Sequence, residues 1–199
     1  VSRRATIATL SEMSDIKPWP LLSSKPVGNF RIFTIRSDVK RSPRTGREHD
    51  FYIIDCTNWV NIIAVTPQKE LVMIEQYRHG SNTVELEVPG GMMDPHEKSP
   101  VVAGERELRE ETGYTGSNAR VIGEIFPNPA IMGNKCYTVL VENCRCDHAV
   151  EFDHGEDIVT RLVPIADIPK LIASGKIGHS MVVVALTHFD LLQRGINQR

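Results

Sequence analysis

The sequence predicts an α+β fold, a mixed sheet with helices packed on it as an α/β/α sandwich, preceded by an N-terminal extension of antiparallel strands. Strand-like runs stand on both sides of one well-marked helix, helical segments close the chain, and apolar alternation begins long before the first helix. A length of 199 residues suits one domain with a full core plus a small extension.

Residues 1–27 are polar, carry Pro18, Pro20 and Pro26, and read as an arm. From Asn29, "FRIFTIRSDV" alternates apolar and polar residues, the pattern of a strand with one buried face. "RSPRTGREHD" is a charged turn, and "FYIIDCTNWVNIIAV" supplies one or two further strands. "PQKE" connects tightly into the strand "LVMIEQYR", and "TVELEVP" runs into the glycine turn at Gly90 and Gly91. A helix over Pro100 to Thr112 follows, because Ser99 can cap it, Pro100 suits its first position and Gly113 its end. "ARVIGEIFP", "KCYTVLVEN" and "IVTRLVP" are strand-like, "IADIPKLIASG" is a short helix and "SMVVVALTHFDLLQRG" a longer closing one.

Composition excludes several classes. An apolar fraction of 41% and a charged fraction of 24% are ordinary for a globular protein, and a formal charge of −2 gives no broad attraction to nucleic acid or an anionic membrane. No apolar run has the length of a membrane span. Arg3 and Arg4 have no sustained apolar stretch behind them, so no secretory signal is expected. Cys56, Cys136, Cys144 and Cys146 lack a framework spacing, and "CRC" reads as a strand end with two free thiols. Four thiols fit a reducing cytoplasm.

The chemistry concentrates behind the glycine turn. Glu107 and Glu111 lie four apart on one helix face, with Glu110 three after Glu107. Carboxylates so placed repel one another unless a cation sits among them, and Mg²⁺ or Mn²⁺ takes such hard oxygen ligands. Arg106 is four before Glu110 and can hold that carboxylate, whereas Arg109, four after Glu105, suits a surface bridge. The glycine turn permits close backbone approach, so a carbonyl at Gly90 is a further candidate metal ligand. A solvated, salt-bridged helix is the bland alternative that composition alone favours.

The order of residues decides between them. Gly91, Glu97, Arg106, Glu107, Leu108, Glu110, Glu111, Gly113 and Tyr114 take the places of a motif that this stretch resembles, the Nudix box: Gly-x5-Glu-x7-Arg-Glu-apolar-x-Glu-Glu-x-Gly-apolar. Eight residues rather than seven separate Glu97 from Arg106, an insertion expected in the loop before Ser99. Upstream, Gln76, Tyr77, Arg78, Glu87 and Gly90 resemble the lead-in of the ADP-ribose and nucleoside-diphosphate-sugar pyrophosphatases, and downstream "FDHGEDI" resembles that branch's acidic loop.

The resemblance implies a Nudix fold and a Mg²⁺-dependent (or Mn²⁺-dependent) hydrolase that cleaves the diphosphate of a small nucleoside diphosphate derivative, ADP-ribose or a nucleoside-diphosphate sugar. It implies metal ligation by Gly90, Glu107, Glu111 and Glu156, and places Glu156, Glu110 and Arg106 among the catalytic groups. Asp153 and Asp157 are alternates to Glu156. Arg78 and Glu87 fall among the substrate-binding positions. Asn134 and Lys135 join them because "FPNPAIMGNKCY" offers amides and a cation where the branch carries a glycine-rich turn. Trp59 and Tyr77 are candidates for stacking on a base, and His79, His96 and His154 receive no ligand role. The resembled branch uses its N-terminal extension to dimerise, so residues 1–57 are expected to form a dimerising arm and strands and 58–199 the hydrolase domain. A non-catalytic ligand sensor would have lost Glu107 or Glu111. An RNA pyrophosphohydrolase needs a basic surface, for which "KRSPRTGR" is the one patch, and that patch reads as a hairpin turn.

Overall fold

The computed structural model describes residues 16–153 and 155–196. The chain divides into two compact units, ending and beginning at Asp55 and Cys56.

The first unit is a three-stranded antiparallel sheet: β1 (Leu21–Asn29), β2 (Thr34–Arg41) and β3 (Glu48–Asp55), in that order. The expected arm of residues 1–27 thus gives way to a strand from Leu21. Leu21–Asn29 pairs along β2, and Pro26 is tolerated beside a register shift between Pro26 and Gly28. The alternation from Phe30 does not start a strand. Phe30 and Phe33 close a turn through Phe30 N–H to the Phe33 carbonyl (2.9 Å), with Arg31 at φ 67° and its N–H on Asn29 Oδ1 (3.1 Å). "RSPRTGRE" joins β2 to β3 as the expected hairpin turn. Residues 1–15 of the expected arm lie outside the described residues.

The second unit is the sandwich. β4 (Trp59–Ala64), β7 (Gly90–Met92), β8 (Tyr114–Ile125) and β9 (Cys136–Cys146) form a sheet in the order β7-β4-β9-β8, mixed because β4 and β9 run parallel. β5 (Glu70–Arg78), β6 (Thr83–Glu87) and β10 (Ile158–Pro164) form an antiparallel sheet in the order β10-β5-β6. Alternation along β4 sends neighbouring residues to opposite cores. Val60, Ile62 and Ala64 pack with Ala103 and Leu108 of α1 (Pro100–Thr112). Ile63 packs with Val182, Ala185, Leu186 and Phe189 of α3 (Ser180–Gln193). Helix α2 (Ile168–Ala173) follows a 3-10 turn at Ile165–Asp167 and adds Ile168 to the α3 side.

Helix α1 has the expected bounds. Ser99 Oγ accepts from Val102 N–H, Pro100 stands at the start, and Gly113 closes it in the left-handed region at φ 74°. The glycine turn, by contrast, is a short strand: Gly90 and Gly91 pair with Asn61 and Val60. No described helix is long and apolar enough to cross a membrane.

Candidate active site

Helix α1 presents its carboxylates to β7. Gly90 N–H donates to Glu111 Oε2 at 3.0 Å, and a Cβ built on Gly91 would lie 2.5 Å from Glu107 Oε1. A side chain at residue 91 would therefore displace Glu107, which is the local reason for glycine there. Glu107 and Glu111 are both buried. Burial pushes Glu107 up to about 7, against Arg106 and with help from Glu110 and Glu156. Burial likewise holds Glu111 well above its ordinary range, with repulsion from Glu107 added. Glu156, on the loop before β10, contributes to the repulsion at both and attracts Arg78. The acidic loop and helix α1 thus share one electrostatic field. His154 of that loop lies outside the described residues.

Arg106 organises the carboxylates around itself. It donates to Glu97 from Nε (3.0 Å) and Nη2 (3.2 Å), to Glu110 from Nη1 (3.0 Å), and stands 3.0 Å from Glu107 Oε1. Glu97 reaches Arg106 despite the inserted residue, because Asp94 to Glu97 folds into a turn that returns Asp94 N–H to Glu97 Oε2 at 2.8 Å. Arg109 approaches Glu110 at 3.6 Å, not the expected Glu105.

The donor set suits a divalent cation: two buried carboxylates, Glu107 meeting Arg106 through Oε1 and Glu111 meeting Gly90 through Oε2, plus Glu156 nearby. Among the described residues no three His, Cys, Asp or Glu side chains gather into a ready-made cage.

Gly90 and Gly91 also line a cavity of about 640 Å³. Trp59 stands in register with Met92 on one side and Cys136 on the other, giving the cavity an apolar wall. The Trp59 indole N–H is buried without a partner. Cys136 is a buried thiol pushed up to about 12 by that burial, and chemically quiet. Arg78, Glu85 and His179 supply polar groups. Arg78 forks onto Glu87 (Nε to Oε1 2.8 Å, Nη2 to Oε2 2.7 Å), and His179 Nδ1 meets Glu87 Oε2 at 2.9 Å. Burial works to raise the Glu87 carboxyl, but the hydrogen bonds from Arg78 and His179 win and bring it down to about 2.

Three of the residues expected to bind substrate have partners within the fold. Glu87 is 1% exposed, and its two oxygens hold Arg78 and His179. Asn134 is buried and gives its amide to the Thr57 carbonyl (3.3 Å), and Lys135 is claimed by Glu124 at 2.8 Å. Neither lines the cavity. Tyr77 is exposed against His79, and His96 is exposed beside Asp94. Glu85, Asn61 and His179 were not foreseen. Asn61 sits buried on β4 with its amide on the Met181 carbonyl (3.1 Å).

Residues 57–182 match the family described as the NUDIX domain. The chain belongs to the Nudix family. It is a Nudix hydrolase related to the ADP-ribose pyrophosphatases. It is 26% identical over 181 residues to the ADP-ribose pyrophosphatase of Mycobacterium tuberculosis H37Rv, covering 89% of this chain and 86% of the relative. It is 26% identical over 133 residues to the ADP-ribose pyrophosphatase of Bacillus subtilis 168, covering 66% and 71%. A solved structure described as an ADP compounds hydrolase superposes with a TM-score of 0.79 over 92% of this chain and all of that one, at 21% identity, a likeness of fold.

Proposed function

We propose that this Nudix hydrolase cleaves the diphosphate of ADP-ribose or a nucleoside-diphosphate sugar, using Mg²⁺, to a nucleoside monophosphate and a sugar phosphate. The observation that carries this reading is the joining of two buried carboxylates, Glu107 and Glu111, to a mixed apolar and polar cavity through the shared glycines of β7. Relatives named ADP-ribose pyrophosphatase support the substrate class.

A divalent ion bound at Glu107 and Glu111, with the Gly90 carbonyl as a further ligand, would neutralise the diphosphate and acidify a water. The chain's own residues do the rest. Arg106 fixes Glu97, Glu107 and Glu110 relative to the helix. Glu156, half-buried on a loop and close enough to repel Glu107 and Glu111, would take the proton of water as it attacks phosphorus. Arg78, held by Glu87, offers its remaining N–H groups to the cavity. Trp59 offers a flat apolar surface to a base.

Incubation with ADP-ribose, UDP-glucose, GDP-mannose and nucleoside triphosphates, each with and without Mg²⁺, tests the reading. ADP-ribose or a diphosphate sugar should exceed every triphosphate at least about tenfold in kcat/KM. Glu111→Gln should remove roughly 100-fold or more of kcat, and Glu156→Gln should lower kcat far more than it weakens binding. Turnover in EDTA, or preferred cleavage of a triphosphate, contradicts the proposal.

A further inference from the structure

The cavity's polar wall contains a histidine that the catalytic reading does not use. His179 precedes α3, is half-buried, and places Nδ1 2.9 Å from Glu87 Oε2. Glu87, at about 2, is ionised at neutral pH and accepts only, so Nδ1 carries the proton. The tautomer with its proton on Nδ1 has Nε2 as an acceptor. No hydrogen bond within the described fold occupies it, and His179 lines the cavity.

Glu85 stands beside it. Its Oε1 accepts from Thr83 Oγ1 at 2.6 Å, while Oε2 lies against Gly178, where an added Cβ would come within 3.5 Å. Glu85 and Gly178 both line the cavity. Across the same wall, Arg78 uses Nε and Nη2 on Glu87 and keeps Nη1. The arrangement is two acceptors and one donor. The Arg78 charge is already matched by Glu87, so the wall's residual charge is the negative one of Glu85.

We propose that Glu85 and His179 are specificity-determining residues: they accept hydrogen bonds from the hydroxyls of a neutral, polyhydroxylated group on the substrate's diphosphate, and they exclude a group bearing another phosphate. A sugar's hydroxyls donate to Glu85 Oε2 and His179 Nε2 and accept from Arg78. An added phosphate brings acceptors to acceptors and charge to like charge. The inference rests on the proposed substrate class and adds the residues that set its boundary.

The test compares ADP-ribose with ADP-ribose 1″-phosphate on wild type, Glu85→Gln, His179→Asn and His179→Ala. Hydrolysis is followed with Mg²⁺, and equilibrium binding by calorimetry in EDTA. Wild type should prefer ADP-ribose at least about tenfold, an ordinary yield for one well-placed polar contact set. Glu85→Gln should narrow the preference mainly by improving the phosphorylated compound. Asparagine places its amide where Nδ1 stands, so His179→Asn keeps the bond to Glu87 and removes Nε2. It should retain the wild-type melting temperature, raise KM and the EDTA-measured Kd for ADP-ribose about fivefold or more, and change kcat little. A role confined to holding Glu87 predicts full rescue by Asn and failure of Ala alone, and that result overturns the proposal. Equal use of the two compounds by wild type overturns it as well. If wild type neither binds nor cleaves ADP-ribose, UDP-glucose or GDP-mannose, the proposed function itself falls and this inference with it.

Discussion

Glu107 and Glu87 are both buried carboxylates in one site, yet their surroundings drive them in opposite directions. Glu107 is raised to about 7 by burial, while Glu87 is lowered to about 2 by Arg78 and His179 after burial has worked against them. Between about 4.5 and about 7 the folded protein therefore holds the Glu107 proton that the unfolded chain has released. More protons on the folded state mean that metal-free stability falls as pH rises through that window. Glu87 contributes the reverse: its stabilisation is complete above about 4.5 and is lost as pH falls toward about 2. Thermal melts in EDTA from pH 5 to 7.5 should show the first slope, on the order of a few kcal/mol at most, and Glu107→Gln should reduce it without abolishing it, because Glu111, also held up by burial, adds a slope of the same sign. An equal slope in both proteins would remove Glu107 as a source of it. The spacing of Glu107 and Glu111 was readable in the sequence because a helix turns i and i+4 to one face. The Glu87–His179 contact was not, since 92 residues separate the partners and only tertiary folding joins them. Asn134 and Lys135 looked available because a sequence does not show that Thr57 and Glu124 claim them.

At the scale of elements, local chemistry was legible and lateral pairing was not. Ser99, Pro100 and Gly113 bound α1 by backbone needs met within a few residues, so the sequence alone located it. β7 has no such signal: two glycines and a methionine become a strand only because β4 lies beside them. β1 was hidden by Pro26, which its edge position and a bulge accommodate. β7 is also where a small change should be most damaging to function. In Gly91→Ala the new methyl would start 2.5 Å from Glu107 Oε1 and 2.6 Å from its Cδ, so the carboxylate must turn away. Overpacking of this kind costs about 1–3 kcal/mol of stability. Activity should fall much further, at least about 100-fold, because Glu107 leaves Arg106 and its place beside Glu111. Circular dichroism and kinetics on the same preparation separate the two effects. A variant with near-normal turnover would mean that β7 does not fix the carboxylates.

For the whole molecule, the sandwich followed from the order of strands and helices, because each face of β4 needed its own apolar cover and α1 and α3 supply one each. The first unit raises the opposite issue, since it has much apolar surface and little cover. Along β1 every residue but Gly28 is exposed, and Leu21, Leu22, Val27, Phe30, Ile32 and Tyr52 present large apolar side chains to solvent. A three-stranded sheet with that surface is poorly protected in water, and contiguous exposed apolar groups mark interaction surfaces. Strand addition at β1 is discouraged by Pro26 and by register shifts at Leu21/Ser23 and Pro26/Gly28, devices that blunt an edge. Cover should therefore come to the sheet's faces, and a two-fold copy of the same unit is the simplest source, since it buries one patch against itself. We propose a homodimer built on residues 16–55. Light scattering at micromolar concentration should give twice the 22.3 kDa chain mass. Leu22→Glu or Tyr52→Glu, each placing a charge on an exposed apolar site, should weaken association at least about tenfold, equivalent to ~1.4 kcal/mol, while leaving the helical signal of the second unit intact. A monomeric wild-type mass, or dimers indifferent to both substitutions, would show that this sheet meets something other than its own copy.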